Sequence, residues 1–204
     1  GVFGAWTDSI PMLVISGQVK RETCLATYDV PGLRQLGDQE ADIISMAQGI
    51  TKYAVFVDDP QTIRYHLEKA LHLATLGRPG PVWLDIPMDV QSAQIEPDSL
   101  PGYDPTEDPA PWDLQALSGQ VAEVLARLRS AERPVILVGT GIRLAGANAV
   151  LDDVIRRLGI PVTTGWKAPD LIASDDPLLC GRPGTIGDRA GNFALQNSDL
   201  VLSV

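Results

Sequence analysis

The sequence predicts an α/β protein built from two parallel-sheet domains, and three features predict it. Short runs that are apolar throughout, as strands covered on both faces are, alternate with segments of helical apolar spacing. The alternation restarts after residue 112. Between the halves lies a stretch of prolines and acids. Strand and helix in alternation imply a parallel sheet, because parallel neighbours need a crossover.

In the first half the strand candidates are residues 12–16, 53–57 and 82–86. Residues 38–49 place Ile43, Ile44 and Ala47 on one helical stripe, with Gly49 as its stop. Residues 60–76 keep Ile63, Leu67, Ala70, Leu71 and Ala74 at helical spacing behind an Asp59 cap and a first-turn Pro60. His66 and His72 fall on the polar side of that helix and read as surface residues. Gly77-Arg78-Pro79-Gly80-Pro81 then turns the chain into the third strand.

Residues 92–112 carry Pro97, Pro101, Pro105, Pro109 and Pro111 with Glu96, Asp98, Asp104, Glu107 and Asp108, and no Lys or Arg. Fixed φ angles and repelling like charges predict an extended, exposed linker between residues 1–91 and 113–204. In the second half, residues 114–130 form an amphipathic pattern with Leu117, Val121, Val124, Leu125 and Leu128 on one face. A strand at 135–138, a helix at 147–158 and a strand at 161–164 follow. A looser stretch holds Pro169, Pro177 and Pro183, then come a helix at 189–196 and a final apolar run at 199–204. This order is Rossmann-like. The opening Gly1-Val2-Phe3-Gly4-Ala5-Trp6 and the closing run both read as places where a longer protein has been cut.

With 204 residues, 45% hydrophobic and 21% charged, the chain has the composition of a soluble globular protein. Sixteen Lys and Arg against 26 Asp and Glu leave a net charge of −10, which argues against a nucleic-acid or anionic-membrane surface. No apolar run approaches the ~18 residues of a membrane span, and no signal segment opens the chain. Cys24 and Cys180 stand alone, without a metal-ligand spacing, as reduced thiols of a cytoplasmic protein do.

Several segments carry candidate chemistry. Gly139-Thr140-Gly141 ends a strand and leads through Gly146 into a helix, where glycines let backbone N–H groups approach a phosphate. A tight turn without a ligand fits that spacing equally well. The next strand ends Thr163-Thr164-Gly165 without the acid that binds a ribose, which weighs against an NAD dehydrogenase. Gly181-Arg182-Pro183-Gly184-Thr185-Ile186-Gly187 allows close approach of a flat ligand, or is an ordinary connection. Arg78 offers a guanidinium suited to phosphate, or is simply a solvated loop residue. Gln18, Lys20, Arg21 and Glu22 follow the first strand, where parallel sheets place ligands, and otherwise read as a solvated loop. Neither His has a nucleophile partner at a recognisable spacing.

Taken together the motifs go further. Ala5-Trp6-Thr7-Asp8-Ser9-Ile10-Pro11-Met12, Ser16-Gly17-Gln18-Val19, Gln39-Glu40, Ile50-Thr51-Lys52-Tyr53 and Gly77-Arg78-Pro79-Gly80-Pro81 through Pro87 occur in an order that resembles the acetolactate synthase group of thiamine-diphosphate enzymes. Arg133-Pro134-Val135 through Gly141, Gly159-Ile160-Pro161-Val162, Asp176-Pro177-Leu178 and Gln196-Asn197-Ser198-Asp199 continue it.

The resemblance implies that residues 1–91 are the later part of a pyrimidine-binding domain and that residues 113–204 are most of a Rossmann-like central domain that binds FAD. It implies a parent enzyme, a homodimer or homotetramer, using thiamine diphosphate and Mg2+ to decarboxylate a 2-keto acid and transfer the resulting aldehyde unit. The activating glutamate and the diphosphate/magnesium motif of that group would lie outside residues 1–204, leaving this piece inactive, with no catalytic or metal-binding residue of its own. Gln39 matches the group's glutamine near the reacting end of the cofactor, and Arg78, Gly139, Thr140, Gly141, Gly184, Thr185, Ile186 and Gly187 match its FAD contacts. Asp38 stands where the group has Phe, and Ile186 where it has His. The alternative reading is a non-catalytic module that binds FAD or an adenine nucleotide.

Overall fold

The computed structural model describes residues 1–28 and 30–204. They divide into two compact units, Gly1–Trp112 and Asp113–Val204.

The first unit runs through helix α1 (Val2–Asp8), strand β1 (Met12–Gln18), helix α2 (Ile43–Ala47), β2 (Tyr53–Phe56), α3 (Ile63–Thr75), β3 (Pro81–Pro87) and the short α4 (Met88–Gln91). Its three strands are parallel in the order β1-β3-β2, so the last strand formed is the central one. Side chains on β3 alternate between faces. Val82, Leu84 and Ile86 face α3 and join Leu13, Tyr53, Val55, Val57, Ile63, Leu67, Ala70 and Ala74 in one core. Trp83 and Asp85 therefore fall on the opposite face, level with Val14 and Ser16 of β1.

Two helices are shorter than their sequence patterns. Proline at position 60 opens a 3-10 turn, with Asp59 accepting from the Gln61 N–H, and α3 begins only at Ile63. The pattern at 38–49 yields a helix only over Ile43–Ala47, capped by Asp42. Residues 38–40 do not join it because the Asp38 and Glu40 carbonyls and the Glu40 carboxylate are engaged with the preceding loop.

Most of residues 92–112 are exposed, as the sequence implies, but a few of them anchor the stretch to the first unit. Leu100 and Tyr103 are buried at 5% and 9% exposure. Lys69 of α3 pairs with Asp108 at 3.0 Å and Glu107 at 3.7 Å, and its ammonium lies 5.3–5.9 Å from the ring centres of Tyr53, Tyr65 and Tyr103. Tyr65 donates to Glu107 and Tyr103 to Asp108. The Tyr103 N–H reaches Glu68, and Pro111 packs on Gly77. Like charges do not extend this segment because one lysine collects two of them.

The histidines are not the surface residues that their helix positions suggest: both are half-buried. His66 Nδ1 shares a 2.6 Å hydrogen bond with the Tyr53 hydroxyl. The His72 Nε2 is buried without a partner among the described residues, its ring 5.5 Å from that of Tyr103. Burial lowers the His66 pKa and pushes the Tyr53 phenol to about 12.

The second unit consists of α5 (Leu114–Ser130), β4 (Pro134–Val138), α6 (Gly141–Leu144), α7 (Asn148–Leu158), β5 (Val162–Thr164), β6 (Leu179–Gly181), α8 (Arg189–Asn197) and β7 (Leu200–Ser203). Its parallel sheet has the order β6-β5-β4-β7. Ile136, Val138, Val162, Leu151, Ile155 and Leu128 form the core. The α5 boundaries match the sequence pattern, with Asp113 as cap. Its apolar face is covered only near the C-terminal end: Leu128 is 7% exposed, while Leu117 and Val121 are each 48% exposed. Strand β6 has only three residues within the looser stretch, too few for periodicity to show. The chain moves outward from β4 through β5 to β6 and returns to the other side of β4 as β7, so the strand order reverses beside β4. Parallel sheets bind ligands at such a reversal.

Replacing Lys69 by Met should release residues 100–108 from α3. The expected loss is about 1–2 kcal/mol of unfolding free energy, with faster amide exchange at Tyr103, read by urea denaturation and hydrogen exchange.

Candidate functional sites

At the carboxyl ends of β1, β3 and β2, a cavity of about 540 Å³ is bounded by two loops and the start of α2. Its lining includes Gln18, Cys24, Gln35, Glu40, Phe56 and Asp85. This volume lies within the ~300–1,000 Å³ usual for small-molecule sites.

The floor is a hydrogen-bonded chain set by the strand register. Asp85 is 1% exposed. The Ser16 hydroxyl donates to its Oδ1 at 2.6 Å and Gln18 Nε2 to its Oδ2 at 2.9 Å. The Trp83 indole N–H donates to Ser16 Oγ at 2.8 Å, and Gln18 Nε2 also reaches the Ala41 carbonyl at 2.7 Å. Alternation puts all four side chains on one face, because Ser16 pairs with Asp85 and Val14 with Trp83. A buried carboxylate is stable only with such donors.

The walls are pinned by two further carboxylates. Asp89, just past β3, accepts from the backbone N–H of Arg21 at 3.0 Å and from its guanidinium at 2.7 Å. The Arg21 N–H together with that guanidinium holds the Asp89 carboxyl below the usual range. Glu40 accepts from the N–H groups of Leu25, Leu36 and Gly37 at 2.5, 3.0 and 3.3 Å. Burial pushes the Glu40 carboxyl up, yet these amides outweigh it and hold its pKa low. Cys24 is 1% exposed, and burial, then the charges of Glu40, Asp85 and Asp89, push its thiol to about 11. It stays protonated at neutral pH and is not a nucleophile.

Gln39 sits beside Glu40 with its own side chain exposed. Of the loop that read as solvated, only Lys20 and Glu22 are an open surface pair; Gln18 lines the pocket, and Arg21 is tied to Asp89 and the Asp58 carbonyl. Sequence reasoning gave no site role to Asp85, Ser16, Trp83 or Glu40, although all four lie in the motifs that carry the resemblance. The visible signal was an acid inside the otherwise apolar run Val82-Trp83-Leu84-Asp85-Ile86. Arg78 lies elsewhere in the first unit, where its Nε donates to Ser9 Oγ at 2.6 Å. With Trp6, Lys52 and Pro111 it borders a second, more open cavity of about 590 Å³. Burial lowers the pKa of Lys52.

In the second unit, Gly139, Thr140 and Gly141 lie at the carboxyl end of β4, beside the reversal of strand order. The Gly139 N–H is already engaged, donating to the Val204 carbonyl at 2.7 Å. The Gly181–Gly187 glycines serve the chain's own packing more than an approaching ligand. A Cβ on Gly187 would collide with the Arg182 carbonyl oxygen, and one on Gly181 would meet Asp188 at 2.9 Å. Asn192 clamps Gly184 through both its N–H and its carbonyl. Gly184 itself has open space around it, and Thr185 and Ile186 are exposed, Ile186 at 76%. Among the described residues no group of three His, Cys, Asp or Glu could hold a metal ion, and no helix is long and apolar enough to cross a membrane.

Residues 121–204 match the central-domain family of thiamine pyrophosphate enzymes. Over 97% of its length the chain is 35% identical to an acetolactate synthase large subunit of Corynebacterium glutamicum, covering 30% of that protein. It is 35% identical to an acetolactate synthase of Arthrospira platensis and 34% identical to a glyoxylate carboligase of Escherichia coli. Both alignments take in 100% of this chain, and 34% and 32% of those relatives. The chain thus spans about a third of the length of the curated relatives it matches.

Asp85→Asn should test the pocket floor. The amide turns a donor either toward Gln18 Nε2, giving a donor–donor contact, or toward Ser16, whose hydroxyl must then accept and turn its own proton away. One buried bond is lost either way. The expected cost is about 1–3 kcal/mol in urea unfolding, with increased solvent access at Trp83 read by indole fluorescence.

Proposed function

We propose that this chain, an acetolactate synthase-like member of the thiamine-diphosphate enzymes, forms part of a carboligase that decarboxylates a 2-keto acid and transfers the aldehyde unit to a second carbonyl compound. The observation that carries the reading is the pocket at the carboxyl ends of β1, β2 and β3, held open by acids that are already satisfied internally. Its donors and acceptors suit a small polar heteroaromatic ring or a keto acid, and Leu25, Ile43, Ile44 and Phe56 supply apolar walls. Thiamine diphosphate, when bound, supplies the electron sink for decarboxylation. The residues of this chain bind and orient. Gln18 and Ser16 hold Asp85 as a rigid floor, Glu40 and Asp89 hold the surrounding loops, and Gln39, exposed beside Glu40, is the polar group that would meet the reacting end.

No group of three His, Cys, Asp or Glu among the described residues is placed to hold a metal ion, and Mg2+ is given no ligand among them. A flavin or adenine nucleotide fits the second unit in part. The reversal beside β4 and the open backbone at Gly184 favour it, while the engaged amides of Gly139 and Gly184 leave fewer donors for phosphate. Arg78 offers a further guanidinium in the first unit. We assign residues 1–91 to the pyrimidine side and 113–204 to the central domain, in a cytoplasmic homodimer or homotetramer. Residues 92–112 join them, although the stretch from Leu100 onward packs with the first unit.

The test is product analysis on the purified gene product that carries residues 1–204, given pyruvate, thiamine diphosphate and Mg2+. Carbon dioxide release with a condensed hydroxy-keto acid is expected, and co-purifying flavin absorbance would place FAD. Absence of thiamine-dependent turnover with pyruvate and with glyoxylate would overturn the carboligase reading.

A further inference from the structure

We propose that Glu40 is the positioning residue of this pocket: its carboxylate gathers the N–H groups of Leu25, Leu36 and Gly37 and so builds the wall that presents Gln35 and Gln39. The proposal rests on reading the pocket as the keto-acid and cofactor side of a carboligase. Between the 3-10 turn at Leu25–Thr27 and helix α2, the described residues form no helix or strand. They therefore have no backbone ladder to hold them, and side chains supply the order. One Glu40 oxygen takes Leu25, at the near end of the loop, and the other takes Leu36 and Gly37, at the far end.

Charge-assisted bonds of this kind are about twice as strong as neutral ones. Gln35 reinforces the far end, its Nε2 donating to the carbonyls of Gly37, Asp38 and Glu40 at 2.7, 3.3 and 3.1 Å. The two ends are pressed together so closely that a Cβ at Gly37 would lie 2.6 Å from the Thr23 carbonyl oxygen. Glu40 borders the cavity, and Gln39 is its immediate neighbour, so closing the loop also fixes where Gln39 stands.

The bound amides hold the Glu40 carboxyl below the usual range against the effect of burial. A lowered folded-state pKa means that closure is complete above the ordinary glutamate value, about 4.3. Closure is lost as pH falls through the lower folded value.

Glu40→Gln and Glu40→Asp in the full chain separate charge from shape. At neutral pH, exchange protection of the Leu25, Leu36 and Gly37 amides should fall about tenfold or more in Glu40→Gln. Glu40→Asp should recover part of it. Wild-type protection at these three amides should itself collapse on acidification, while Glu40→Gln shows no such step. In the turnover assay, Glu40→Gln should raise KM for pyruvate about tenfold with kcat within about threefold. Unchanged protection in Glu40→Gln, or wild-type protection that does not respond to acid, would overturn the proposal. A wild-type protein without turnover would remove the carboligase reading instead, and the exchange measurements would still decide the role of Glu40. Should Glu40→Gln fail to fold, the wild-type acid series and Glu40→Asp decide it.

Discussion

The first unit is organised around a carboxylate in the middle of its sheet. Asp85 belongs to the central strand, is almost wholly buried, and must find donors on the strand face that α3 does not cover. The parallel register with β1 brings Ser16 level with it and Gln18 one side-chain step further along. Trp83 and the Ala41 carbonyl then extend the chain of bonds in both directions. The pocket is the consequence. Its floor is polar because the carboxylate is there, and rigid because each donor on that floor has a committed partner. Removing any partner would leave a buried polar group unsatisfied, the costliest kind of local defect.

The loops around that floor follow the same logic at lower burial. Neither has much regular structure, and each is tied by an acid that accepts backbone N–H groups, Asp89 at Arg21 and Glu40 at Leu25, Leu36 and Gly37. The acidic excess of the sequence is thus partly structural. Glu107 and Asp108 extend the pattern beyond the pocket, since both meet Lys69 of α3. There the residues from Leu100 onward become a strap, although their composition alone describes a solvated connector.

The second unit shows how glycines can serve packing and still mark a ligand-binding fold. Gly181 and Gly187 are required by close contacts within the chain, and the reversal of strand order beside β4 is a property of topology. The match of residues 121–204 to the central domain of thiamine pyrophosphate enzymes agrees with this topology. It says less about the ligand, because several of the amides that a phosphate would use already have partners.

Much of this was legible in the chain. Apolar runs at 12–16, 53–57, 82–86 and 135–138 became parallel strands; β3 and β4 are buried on both faces as such runs imply, whereas Ile15 of β1 is 56% exposed. The ordered motifs carried the family, and both α5 and α8 began where the pattern placed them. What sequence order did not carry were the contacts that depend on who lies opposite whom. Asp85 looked like one acid in a strand until β1 supplied its donors, and His66 and His72 looked exposed until the fold enclosed them, His66 against Tyr53 and His72 against Tyr103. The full length of the 38–49 helix was lost to Glu40 and Gln35 binding the loop before it. Local patterns determined the elements, since they arise from the chain's own backbone and apolar spacing. Tertiary structure alone decided the charges, because a carboxylate's role is set by the donors that folding brings to it.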